Sequence, residues 1–177
     1  KTILSNLTPE EIVKPAYENW FPTQKTGHTI LDLETGEAIP FFMLKESVFK
    51  QYRAHSLTAG DGKVFLGTVP KTGVKGGVLA WYDLAAQRTY VAAGDGADNV
   101  YYADNTANND RAKYYEWHRL STGEVVTDVT VGGLIPNQTI NGMLYKDGLI
   151  YGTTTIHGGS GSTPDTENAK LFVYDVE

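Results

Sequence analysis

The sequence predicts an all-β protein, a β-propeller or partial β-propeller of about four four-stranded antiparallel blades. Three observations lead there. The first is an imperfect internal repeat. Asp61-Gly62-Lys63-Val64-Phe65-Leu66-Gly67-Thr68 returns as Asp147-Gly148-Leu149-Ile150-Tyr151-Gly152-Thr153-Thr154, and each copy leads to an apolar run ending in Tyr-Asp, at Tyr82-Asp83 and at Tyr174-Asp175. The second is the Asp-Gly dipeptide between alternating apolar runs, at Asp61-Gly62, Asp95-Gly96 and Asp147-Gly148. A tight hairpin turn needs positive φ, and Asp-Gly supplies it. The third is composition, since 11 Tyr and 19 Gly among 177 residues suit strands and turns.

The elements follow in chain order. Lys1-Thr2-Ile3-Leu4 reads as a fourth blade strand without its third-strand partner. Thr8 as N-cap, Pro9 at the first helical position and Glu11 at the third make a capping box, so a short helix is expected over 9–14. Pro15 stops it, and Tyr17, Trp20 and Phe21 are expected to pack on the first blade. A strand over 29–33 with its turn Thr35-Gly36-Glu37 is an extra strand-plus-turn that matches Arg119-Leu120-Ser121-Thr122-Gly123-Glu124. Third strands are expected over 78–83, 113–119 and 170–175. The Asp-Gly pairs are unevenly spaced, so the middle unit is compact or has fused two strands. The chain then stops after a third strand. This phase fits either a small ring closed by the first strand or, preferably, a portion of a larger propeller. Residues 1–177 form a single propeller domain or portion in both readings.

Bulk properties narrow the function classes. The formal net charge is -6, with 15 Lys and Arg against 21 Asp and Glu. No basic stripe exists, which argues against a nucleic-acid binder. No apolar run is long enough to span a membrane. The absence of cysteine excludes disulfides, thiolate metal sites and cysteine nucleophiles.

The candidate ligand-binding residues are Tyr52, Arg53, His55 and His157. Tyr52, Arg53 and His55 begin an expected inner strand, and His157 lies in the long loop from Thr155 to Pro164. Loops joining second and third strands surround one mouth of a propeller channel. The same four residues are the candidates for catalysis, with a His as base, Tyr52 as acid and Arg53 neutralising a carboxylate. His28 and His118 are expected to be strand-end or packing residues. Gly158-Gly159-Ser160-Gly161 lacks the Lys-Ser/Thr and the following helix of a phosphate loop, so it is expected to be a flexible cover over the mouth. Asp104, Asn105 and Asp110 offer oxygens that suit Ca²⁺, without the register of an EF-hand. No cofactor is expected otherwise.

The stretch Gly142 to Thr154, with Gly158-Gly159 and Ala169 to Asp175, resembles blades of large secreted bacterial propeller proteins of the WD40-like or YVTN-like kind. The resemblance is good over 138–177, fair over 53–84 and poor over 1–27 and 95–112. It implies an extracellular or cell-surface location and, since such proteins often stand beside polysaccharide-processing modules, a glycan ligand. It carries over no catalytic residue. The expected function is therefore a non-catalytic module binding a carbohydrate, cell-surface polymer or protein. The alternatives are part of a propeller polysaccharide lyase or glycan hydrolase, and a structural module, natural or engineered, that self-assembles as a homodimer or with missing blades.

Overall fold

The structure is a computed structural model that describes residues 28–31, 38–42, 44, 47–94, 97–104, 116–129 and 132–176, the strands over 28–31 and 38–42 by their backbone. The expected helix over 9–14, the strand at Lys1, the packing of Tyr17, Trp20 and Phe21, and the Asp95-Gly96 hairpin lie outside these residues. The described elements are β1 (His28–Leu31), β2 (Ala38–Phe42), β3 (Gln51–Gly60), β4 (Lys63–Pro70), β5 (Leu79–Asp83), β6 (Arg88–Ala92), a 3-10 turn (Ala97–Asn99), β7 (Val100–Asp104), β8 (Trp117–Arg119), β9 (Val125–Val126), β10 (Thr139–Lys146), β11 (Leu149–Thr155) and β12 (Leu171–Asp175). The described residues are all-β apart from that one 3-10 turn, and every strand pair among them is antiparallel.

The strands form three sheets: β1-β2, β10-β11-β12, and a seven-stranded meander from β3 to β9. The expected even division into four-stranded blades is therefore not what the described sheets show, and they do not close into a ring. Only β3 to β6 makes a four-stranded set matching the repeat. β7 pairs directly with β6, from Arg88 opposite Asp104 to Ala92 opposite Val100, so the compact middle segment extends the first sheet.

The repeat itself is present as two units, β3 to β6 and β10 to β12. Each opens with the hairpin read from Asp-Gly. Asp61 and Gly62 have φ of 47° and 68°, and Asp147 and Gly148 have 49° and 80°. Positive φ at both central residues is the primed turn whose twist matches its strands. Gly60 faces Lys63 and Lys146 faces Leu149 across two-residue turns.

A second repeated device lies at the opposite end. Thr68 Oγ1 donates to Gln51 Oε1 at 2.7 Å and accepts from Val78 N at 2.9 Å. Thr154 Oγ1 bonds Gln138 Oε1 and accepts from Lys170 N at 2.7 Å. The amides finish each clasp: Gln51 Nε2 donates to Phe49 O at 2.8 Å and Gln138 Nε2 to Asn168 O at 3.0 Å. Each Gln follows a residue held at positive φ, Lys50 at 52° and Asn137 at 56°. One Gln and one Thr thus fix where three strands of a unit begin and end.

The two units stack face to face. Phe65, Leu79, Trp81, Ala92 and Val100 of the large sheet pack with Ile140, Ile150 and Leu134, flanked by Met143, Tyr145, Phe172 and Tyr174. Tyr145 is the pin of this seam. Its ring stacks on Phe65 with centroids 5.4 Å apart, its backbone N donates to Thr58 Oγ1 at 3.1 Å, and its hydroxyl joins Asp61 of one turn to Gly148 N of the other. The ring lies where a Gly60 side chain would stand, so Gly60 must be glycine. The other face of the large sheet packs Leu66, Ala80, Tyr82, Val91, Tyr101 and Ala103 against Leu44, Phe49 and Trp117. Phe49 meets Trp117 edge-on at 4.8 Å. Burial on both faces explains why β4 and β5 read as nearly continuous apolar runs.

Three outcomes test this packing. Thr68→Val leaves Gln51 Oε1 and Val78 N buried without their partner, and urea unfolding should show a loss of about 2–3 kcal/mol. Gly60→Ala should cost about 1–3 kcal/mol by overpacking. Most of that cost should vanish in a Tyr145→Ala background, because the two positions touch. Burial, followed by the Asp175 carboxylate, raises the Tyr174 phenol above its usual 10.0. Its folded pKa is then above its unfolded one, so its contribution is complete below about pH 10 and is lost as pH rises through the folded value. Tyr174→Phe should flatten the alkaline fall of the melting temperature.

Candidate functional site

β3 and β10 are the first strands of the two units and each is an edge of its sheet. They lie side by side across the Tyr145 seam. Neither is regular. On β3 the register skips between Gln51 and Arg53 and again between Ala54 and Ser56, so Tyr52 and His55 are the extra residues of two bulges. On β10 it skips between Ile140 and Gly142, so Asn141 is the extra residue of one. A bulge twists the strand and re-aims the side chain it carries.

The bulges of His55 and Asn141 are equivalent. Ala54 pairs with Thr68 and Ser56 with Gly67. Ile140 pairs with Thr154 and Gly142 with Thr153. Measured from the clasp threonine, the extra residue falls at the same place in both units. Tyr52 is an additional insertion in the first unit, which explains why Gln51 and Asp61 stand one residue further apart than Gln138 and Asp147. Tyr52, Arg53, His55 and Asn141 are all exposed.

The loop from Ile156 to Lys170 reaches the same end of the sheets. Gly159 abuts Pro70, and Pro70 is the partner of Gln51 at the start of β3. His157 is exposed there, its carbonyl accepting from Thr139 Oγ1 at 2.7 Å. The expected flexible cover is in fact fastened. Gly76 N donates to Gly158 O at 2.8 Å, Ser162 Oγ closes a turn on Gly159 O at 2.8 Å, and Asp165 receives Lys75 Nζ at 2.5 Å and Asn137 Nδ2 at 2.8 Å. Gly158 passes so close to the Asn137 carbonyl that a side chain has no room. The exposed Lys75–Asp165 pair adds little by itself, so the backbone contacts do most of the fastening.

The sequence candidates Tyr52, Arg53, His55 and His157 thus gather at one end of the paired edge strands. Asn141 was missed, because the bulge it shares with His55 leaves no difference in length between the two repeat copies. Tyr145, Gln51 and Gln138 were missed as structural residues, although a Gln opens each unit. Asp61 and Asp147 are turn residues as expected, and Asp61 additionally holds the Tyr145 hydroxyl. His118 stacks on Tyr102 at 5.1 Å and lies 3.2 Å from Glu116, as a packing residue does.

Chemically, the edge offers a phenol ring, a guanidinium, an imidazole and an amide. These can stack on and hydrogen-bond a polar ligand. Ser56 Oγ, next to His55, is buried without a hydrogen-bond partner among the described residues. No group of three or more His, Cys, Asp or Glu among the described residues could hold a metal ion. Asn105 and Asp110 of the Ca²⁺ candidate, with the Asp104 side chain, lie outside them. No helix among the described residues is long and apolar enough to cross a membrane. No family model, no curated protein and no solved structure matches the chain.

Proposed function

We propose that the chain is part of a β-propeller that binds a carbohydrate or cell-surface polymer without turning it over. Two supports bear on the propeller. Its two repeat units stack face to face, and their first strands lie side by side, as inner strands around a channel would. The observation that carries the ligand reading is the repeated bulge. The same register position in both edge strands turns a polar side chain outward, His55 in one unit and Asn141 in the other. Bulges interrupt pairing, so keeping one in each unit has a cost that a bound ligand would explain.

Tyr52 adds an aromatic face at the start of β3 and Arg53 a planar set of donors. Sugars present an apolar C–H face and a rim of hydroxyls, and this set addresses both. His157 reaches the same end from the fastened loop. An extracellular or cell-surface location goes with this reading, and so does a ligand from outside the cell.

The test is calorimetry and affinity electrophoresis of the whole chain against neutral and acidic oligosaccharides. Binding should appear and should fall about tenfold, roughly 1.4 kcal/mol, in Tyr52→Ala and in His55→Ala. His55→Ala should not shift the melting temperature much, because its side chain is exposed. Absence of binding to any glycan would remove the ligand reading. Release of ultraviolet-absorbing unsaturated sugars would replace it with the lyase.

A further inference from the structure

The outer face of the β10-β11-β12 sheet is apolar and uncovered. Leu144, Tyr151 and Val173 form one cross-strand row on it, and Leu171 lies beside them opposite Thr153. In the first unit three of the four equivalent positions are core, the fourth being half-buried Thr58. Leu171 is 78% exposed where Leu79 is 0%, Val173 is 55% where Trp81 is 6%, and Tyr151 is 39% where Phe65 is 0%. The difference has one source. The second unit lies on that face of the first, and nothing among the described residues lies on that face of the second. Repeat units that stack bury each face against the next unit, and an end unit is left with one face open.

We propose that this open face is the docking surface for a further unit of the same repeat. The interface already present sets its position, since the second unit covers Phe65, Leu79 and Trp81 with Tyr145, Ile140, Ile150 and Phe172. Two residues on the open face define the occupant more closely. Gly60 and Gly67 of the first unit admit the Tyr145 ring and the Ile140 side chain. Their equivalents in the second unit are Lys146 and Thr153. An incoming sheet must therefore carry small side chains where the second unit has Tyr145 and Ile140. The first unit has such a pattern, because Ala59 and Ala54 occupy those two positions.

The first unit of another molecule cannot serve as it stands. Most of its matching face is already buried against Leu44, Phe49 and Trp117, with Leu57, 63% exposed, and Ala59 left open at its edge. The occupant is thus a separate repeat unit with alanine-sized residues at those two positions, docking in the same head-to-tail sense. This inference rests on the repeat architecture and not on the sugar reading. Glycan binding and docking can fail independently.

The experiment extends the whole chain after Glu177 by a second copy of residues 50–92, which leaves out Leu44, Phe49 and Trp117 and so frees the matching face. In the extended protein, binding of a hydrophobic dye should drop and the melting temperature should rise. Leu171→Lys with Val173→Lys should cancel both changes. In the unextended chain the same pair should shift the melting temperature by only about 1–2 °C, as exposed positions do. A fall of many degrees there would mean that the chain's own residues already cover the face, and would overturn the proposal even if the extended protein failed to fold. A dimer by sedimentation that the two substitutions convert to monomer would also overturn it, because the occupant would then be a second copy. An extended protein that folds with unchanged dye binding would do the same.

Discussion

The structure depends on a hydrogen-bond clasp that each repeat unit makes for itself. A threonine hydroxyl at the end of the second strand holds a glutamine from the start of the first and a backbone N–H from the start of the third. In the first unit all three partners are buried, so the bonds form away from competing water. The clasp decides more than one hydrogen bond. It sets the point from which the first strand is paired, and therefore where its bulges fall. The same clasp region also joins the units, since Gly77 N donates to Gln138 O at 2.9 Å and Leu134 N to Gly77 O at 2.9 Å. Gly76 and Gly133, at φ of 92° and 91°, let two backbones meet there without side chains between them.

At the opposite end, beside the Asp-Gly turns, Tyr145 closes the seam. A single tyrosine contacts four features of the structure: Phe65, Thr58, Asp61 and the turn amide of Gly148. The two ends work differently. The clasp end is held by buried polar groups and close backbone approach, which demand fixed geometry. The Tyr145 end is held by ring stacking over a glycine, which demands space. Substitutions at the two ends should therefore fail for different reasons, one by orphaned polar atoms and one by lost or excess volume.

Much of the fold was legible because its turn chemistry is local. Asp61-Gly62 and Asp147-Gly148 announce their hairpins, and the apolar runs ending in Tyr82-Asp83 and Tyr174-Asp175 announce the third strands. The sheet-level organisation was not legible. Nothing local says that Arg88 to Ala92 pairs onward with Val100 to Asp104, because an antiparallel edge accepts any strand of matching length and pattern. The strand expected over 113–119 is described only as Trp117 to Arg119, paired to β7 by two residues. The candidate site was half legible. Tyr52, Arg53, His55 and His157 stood out as unequal, polar residues between repeats. Asn141 did not, since its meaning comes from register. A bulge is visible only when the partner strand is known.

The inequality of the two units bears on what the edge can recognise. A perfect repeat would present the same group twice and would suit a ligand with matching internal symmetry. Here the shared bulge carries His55 in one unit and Asn141 in the other, and the first unit alone has the inserted Tyr52. Ring, imidazole and guanidinium are thus concentrated on β3, while β10 contributes an amide. A ligand lying across both strands meets an aromatic, cationic side and a neutral, hydrogen-bonding side. In the proposed glycan reading, such a gradient would match a polymer with a direction better than a compact symmetric molecule. The scaffold can carry this asymmetry because clasp and turns fix the strands from both ends, so that the bulge residues between them can differ without moving either end.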